Sequence, residues 1–197
     1  TNYTYTPSGI NYTLIETNPN TCWYSLNNGV NITFNCAQNI TGLSSEQGWN
    51  NWTVNVNDST NNYASNSIRF FVDSINPQVE FVPNTDVMNL FNGTYYLNRS
   101  YIIYNATAND TNLVASDVDL YRDVFNIYTS HSTATPYANL NGTITNLADN
   151  NYNLSITACD ILDNCNSTQN NYIIDTTIPI VTITYPINGV YYGNLSQ

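Results

Sequence analysis

The residues of this chain with chemistry to offer are few, and their spacing limits what they can do. Four cysteines fall in two close pairs, Cys22 with Cys36 and Cys159 with Cys165. No C-x-x-C spacing of the metal or redox kind occurs, so an even thiol count in a Thr-, Tyr- and Asn-rich chain favours two disulfides and an oxidising compartment. Asp117, Asp119 and Asp123 form the one acidic cluster spaced closely enough to weigh as a Ca²⁺ site, with Asp110 and oxygens from a neighbouring unit as further ligands. Val118 and Leu120 alternate with these carboxylates, which fits the wet face of a strand better, so no metal is expected. His131 is the only histidine; no acid or nucleophile sits at a spacing that would pair with it, and an exposed loop is expected. Trp49, beside Gly48, is the best candidate for a loop ring on which a sugar could stack. Neither an enzyme activity nor a cofactor is expected from this set.

The remaining chemistry is on asparagine. Asn-x-Ser/Thr occurs at Asn2, Asn11, Asn31, Asn39, Asn51, Asn57, Asn92, Asn98, Asn105, Asn109, Asn141, Asn153, Asn166 and Asn194. Random placement would give roughly 7 such sites, so the chain carries about double that number. N-glycans on the surface of an exported protein are the expected consequence.

The elements that carry these residues must come from an unusual composition. The 197 residues include three arginines, no lysine and fourteen carboxylates, for a formal charge of −11. So few cations exclude nucleic acid and anionic membrane surfaces as partners. Only 9% of residues are charged, so solubility falls to 37 Asn, 25 Thr and 15 Ser. A hydrophobic share of 42%, with 13% aromatics, supplies a packed core. No apolar run approaches the roughly 20 residues of a membrane span, so no membrane insertion is expected.

The sequence repeats itself with a period near 102. Trp52-Thr-Val54-Asn-Val56 lies over Tyr152-Asn-Leu154-Ser-Ile156. Ile68-Arg-Phe70-Phe-Val72-Asp73 matches Asn170-Asn-Tyr172-Ile-Ile174-Asp175, and Pro77-Gln-Val79-Glu-Phe81 matches Pro179-Ile-Val181-Thr-Ile183. Asn92-Gly-Thr-Tyr95-Tyr96 matches Asn188-Gly-Val-Tyr191-Tyr192. Inside each unit apolar residues alternate with polar ones, as half-buried strands require, and nowhere recur at helical spacing. Short strands, with Trp23 next to Cys22 as the candidate buried tryptophan, predict an all-β fold of sandwiches.

The joint Val/Ile-Asp-x-x-x-Pro-x-Val-x-Phe/Ile, at residues 73–81 and 175–183, resembles the boundary in tandem bacterial and archaeal Ig-like repeats. The turns at 58–62 and 160–164 resemble the F–G hairpin of those repeats. The resemblance implies two tandem immunoglobulin-like β-sandwiches plus an extra C-terminal strand, exported, displayed at the cell surface and without catalytic chemistry. In that frame the first domain is residues 1–76, opening at its second strand near 10–16 and lacking its first. The complete domain is 77–177. Residues 178–197 repeat an opening strand with no sandwich after it. A hairpin around Asn28-Gly29, with strands at 22–26 and 30–35, pairs Cys22 with Cys36, and Cys159 with Cys165 flank the second F–G turn.

A sandwich without its first strand has an open seam, which Val181, Ile183 and Tyr185 of another copy would close. The expected partner is therefore the chain itself, in a head-to-tail homopolymer similar to archaeal thread-like or pilus-like filaments. The alternative is an adhesin or an S-layer or stalk spacer segment cut from a longer repeat protein, with or without glycan binding. Related surface pilins are cross-linked by lysine isopeptides; with no lysine, this chain has ladders, disulfides and inserted strands for mechanical strength.

Overall fold

The computed structural model describes residues 2–83, 89–185, 189–190 and 193. Among them every regular element is a strand. The first unit contains β1 (Asn2–Tyr3), β2 (Gly9–Ile10), β3 (Pro19–Leu26), β4 (Ile32–Phe34), β5 (Ile40–Thr41), β6 (Gly48–Asp58) and β7 (Tyr63–Val72). The second contains β8 (Gln78–Phe81), β9 (Asn89–Phe91), β10 (Thr94–Leu97), β11 (Ile102–Asn109), β12 (Leu113–Arg122), β13 (Phe125–Ser132), β14 (Tyr137–Ile144), β15 (Asn150–Asp160) and β16 (Cys165–Ile174).

Each unit is two sheets face to face. The second has the order β13-β12-β15-β16-β10-β9 against β14-β11-β8; the first has β1-β7-β6-β3-β4 against β2-β5. Corresponding pairs carry the same register. Parallel Tyr3↔Val72 in the first unit matches parallel Leu97↔Ile174 in the second. Leu43 N–H donates to Ser8 C=O as Leu147 N–H does to Ser100 C=O, both at 2.9 Å, which sets Ile10↔Ile40 against Ile102↔Ile144. Both units are immunoglobulin-like sandwiches, and every ladder falls within residues 2–72 or within 78–174.

Alternation explains the strands. In β15 Tyr152, Leu154, Ile156 and Ala158 are buried, and the residues between them face outward. β6 has the same length and, like β15, ends on a buried aspartate, Asp58 or Asp160. The structural match therefore sets Trp52 against Leu154 and Val54 against Ile156, two residues from the expected alignment of Trp52 with Tyr152. A shift of two keeps every side chain on its face, so the polar–apolar pattern cannot detect it.

Three other expectations change. Cys22 is the buried partner in its dipeptide, and alternation turns Trp23 outward to pack on Tyr63 with ring centroids 5.9 Å apart. The buried tryptophan is Trp52, edge-on to Phe70 at 4.8 Å. The first hairpin turns at Asn27 and Asn28, with φ of 52° and 59°, and closes from Gly29 N–H to Leu26 C=O. The strand expected over 10–16 is ordered as a ladder only at Gly9–Ile10. Its counterpart β11 runs eight residues because β8 and β14 flank it on both sides.

The two cores differ accordingly. Eighteen buried hydrophobic residues form the second core and five form the first, Ile40, Leu43, Trp52, Phe70 and Val72. Ile156→Ala is expected to lower the unfolding free energy by about 2–5 kcal/mol in urea denaturation. Val54→Ala, at the matching half-buried position, should cost clearly less in the same measurement.

Candidate assembly groove and interdomain joint

Where the second unit has β8, the first has a groove of about 490 Å³. It is lined by residues 9–14 on one side, by Trp52, Val54 and Val56 at its floor, and by residues 64–68 of β7 with Phe70 opposite. Among the described residues no strand lies beside residues 11–14. The indole N–H of Trp52 is buried in this region without a hydrogen-bond partner. In the second unit the matching space is filled: β8 pairs antiparallel with β11, Phe81 opposite Ala106 and Val79 opposite Ala108, and both side chains pack on the core.

Residues of the expected donor strand lie in the open. Ile180, Val181, Ile183 and Tyr185 are 92%, 86%, 76% and 71% exposed. Residues 180–184 belong to no strand ladder among the described residues, and Val181 and Ile183 hold the sequence positions of Val79 and Phe81.

The units meet at Asp73, just past β7. Its Oδ2 accepts from Asn112 Nδ2 at 2.8 Å, and its backbone oxygen accepts from Asn164 Nδ2 at 2.9 Å. The same Asn164 amide donates to Asp160 Oδ2 at 2.7 Å, so one side chain bridges the units. Asn166 Nδ2 adds a bond to Pro77 C=O at 3.0 Å. Asp73, Asp110 and Asp160 offer carboxylate oxygens within 4.8 Å of one another. Burial pushes the Asp110 carboxyl above the ordinary carboxylate range; the Asn112 N–H opposes the rise, and the charges of Asp73 and Asp160 add to it. An all-oxygen set of this kind suits a hard cation such as Ca²⁺.

That cluster is not the one the sequence singled out. Asp117 and Asp119 point outward from β12, Asp123 sits in the next turn at φ 58°, and the three do not converge. Asp119 Oδ1 accepts from Asn126 and Thr129, and Asp117 Oδ1 lies 2.6 Å from His131 Nδ1. His131 is therefore on a strand, β13, beside an acid across the ladder, and not in a loop. Both side chains are exposed, so the pair is a surface contact. Trp49 is also on a strand, the start of β6; it is 58% exposed, with the Arg69 guanidinium 4.2 Å from its ring centroid.

Disulfides join Cys22 to Cys36 and Cys159 to Cys165, with Cα atoms 5.3 and 4.2 Å apart. Of the sequon asparagines, Asn2, Asn11, Asn31, Asn39, Asn92, Asn98, Asn109, Asn141 and Asn166 are exposed, and Asn51, Asn57, Asn105 and Asn153 are half-buried. Asn194 lies outside the described residues. The buried asparagines, Asn50 and Asn55, are outside sequons.

No protein-family model and no characterised protein sequence matches this chain. Among solved structures it is similar to the Clostridium thermocellum CbhA fibronectin(III)-like modules, at 18% identity and a TM-score of 0.35 over 88% of both chains. It is similar to a tetra-tandem repeat in the extending region of a large adhesion protein, at 17% identity and a TM-score of 0.42, over 82% of this chain and 43% of that one. An engineered protein is similar at 10% identity and a TM-score of 0.37, over 54% of this chain and 21% of that one. The sandwich architecture itself rests on the pairings described above.

The turn of the first unit that matches residues 160–164 holds Asp58, whose pKa is drawn down to about 2, foremost by the Asn62 side-chain amide. A carboxyl depressed in the folded state stabilises the fold above its ordinary pKa and loses that contribution as pH falls through the depressed value. Carboxyl NMR should therefore find Asp58 titrating near pH 2. Asn62→Ala should return it toward 3.8 and move the acid-sensitive window of the turn upward.

Proposed function

We propose that this chain is a structural subunit of an extracellular cell-surface filament, N-glycosylated and assembled head to tail. The C-terminal strand of one copy completes the first sandwich of the next. The observation that carries this reading is the pairing of an open apolar groove in the first unit with an exposed apolar segment, residues 180–185, that repeats the strand filling the same space in the second unit.

The internal precedent supports one register. Counted back from Asn18, which accepts from Ser59 N–H as Asn112 does from Ile161 N–H, the antiparallel pairing of β8 on β11 translates to Ile183 opposite Tyr12 and Val181 opposite Leu14. Burying Val181 and Ile183 contributes roughly 1.5–3 kcal/mol each, beside the ladder hydrogen bonds residues 11–14 would gain. A contact of this heterologous kind propagates into a filament unless its rotation closes a ring.

Two disulfides and nine exposed sequon asparagines support an exported, glycan-carrying protein. A glycan-stacking role at Trp49 is weaker, because Arg69 covers one face of the ring and Phe71 meets it at 5.4 Å.

The test is sedimentation velocity with negative-stain imaging of the full chain and of Val181→Asp/Ile183→Asp. The unmodified chain is expected to form concentration-dependent oligomers and threads, and the double variant to stay monomeric, folded by circular dichroism, and to melt lower than the assembled chain. A monomeric unmodified chain would return these units to consecutive positions in a longer repeat protein.

A further inference from the structure

We infer that the exposed end of the first unit is a preformed polar socket for Asp175 of the next copy, so that the joint between copies reproduces the joint inside the chain. This rests on the head-to-tail reading and adds a second interface to the strand.

The socket is recognised by its occupied twin. In the second unit Asn112 and Asn164, themselves bonded to Asp110 and Asp160, hold Asp73; in the first unit Glu16, Asn18, Asp58 and Asn62 stand at the same places. Their main internal hydrogen bonds correspond, and Asn62 Nδ2 also donates to Thr60 Oγ1 at 2.9 Å, a bond without a counterpart at Leu162 that seating Asp175 would exchange. Asn112 N–H donates to Asp110 at 2.7 Å and Asn18 N–H to Glu16 at 3.1 Å. Ile161 N–H donates to Asn112 C=O at 3.0 Å and Ser59 N–H to Asn18 C=O at 3.2 Å. Asn164 Nδ2 to Asp160 Oδ2 and Asn62 Nδ2 to Asp58 Oδ2 are both 2.7 Å. Even the left-handed turn residue is shared, Asp163 at φ 62° and Asn61 at φ 66°.

The two amides that grip Asp73 thus have counterparts in Asn18 and Asn62, already held in the same local frame. Burial separates the cases. Asn112 and Asn164 are half-buried under Asp73, which is 6% exposed, whereas Asn18 and Asn62 are exposed.

Asp175 is the matching plug. It follows Ile174 as Asp73 follows Val72. Its N–H donates to Leu97 C=O at 2.9 Å, as Asp73 N–H does to Tyr3 C=O at 3.1 Å. Its Oδ1 accepts from Thr177 N–H at 3.0 Å, as Asp73 Oδ1 does from Ile75 N–H at 3.3 Å. It is exposed and shaped like the occupant of the internal joint. Eight residues separate Asp73 from Phe81, and the same eight separate Asp175 from Ile183, so a strand seated in the groove sets the aspartate at the socket.

The test uses full-length chains that form only a pair. The acceptor carries Val181→Asp/Ile183→Asp, and the donor carries Leu14→Arg to close its own groove. Asp175→Ala in the donor, or Asn18→Ala/Asn62→Ala in the acceptor, is expected to weaken association on the order of tenfold by sedimentation equilibrium. Combining Asp175→Ala with Asn18→Ala should weaken it by far less than the product, because both remove the amide-to-carboxylate contact, whereas Asn62→Ala, whose counterpart Asn164 bonds the Asp73 backbone oxygen, should add independently. If the Leu14→Arg donor is unfolded by circular dichroism, the same substitutions are compared on the mean polymer length of otherwise unmodified chains, where shortening is expected. Association at full strength in every variant overturns the socket and leaves strand exchange standing; no association between unmodified donor and acceptor, or no assembly of the unmodified chain, overturns both.

Discussion

A strand inside a sandwich needs a neighbour for its backbone and a cover for its inward side chains, and residues 11–14 have neither among the described residues. Much of the first unit follows from that gap. Its second sheet is a two-residue ladder, its core holds five buried hydrophobics where the second unit has eighteen, and Trp52 is buried with an unmet N–H. In the second unit β8 supplies both the neighbour and the cover, and β11 extends to eight residues. Among the described residues the same sequence plan therefore gives one sandwich filled by its own strand and one with that place open.

Polar residues at the joint give direction to what the groove supplies in affinity. Apolar burial is roughly proportional to area and largely indifferent to register, since a shift of two keeps the same faces. The amides of Asn112 and Asn164 are not indifferent: the first requires a carboxylate and the second a backbone carbonyl at one distance from the inserted strand. A chain without lysine and with three arginines builds this contact from amide-to-carboxylate hydrogen bonds in place of ion pairs. The asparagine that dominates the composition thus serves the joints, the tight turns and the accessible sequons.

Sequence patterns exposed the strands, the repeat and the two sandwiches because alternation and repetition are local signals. They misaligned Trp52 by two residues because the pattern is blind to even shifts. They misjudged Trp23 because neighbouring a buried cysteine means facing the other way. His131 and Trp49 read as loop residues because polar neighbours surround both, yet strand pairing places them across from Asp117 and Phe71. The Asp117, Asp119 and Asp123 cluster drew notice by proximity in the chain; Asp73, Asp110 and Asp160 are far apart in sequence and meet only when the units dock. The groove was legible as a missing strand, and the match between its two ends became visible only in the hydrogen bonds.

The most direct measurement is disulfide trapping between copies at the inferred register, where Thr182 falls opposite Thr13. Thr13→Cys and Thr182→Cys chains, mixed and oxidised, should yield a covalent dimer on non-reducing gels, because directly opposed strand positions lie within bridging distance. Chains carrying both substitutions should yield a ladder. A mixture that gives no more dimer than either variant alone would contradict strand exchange between copies.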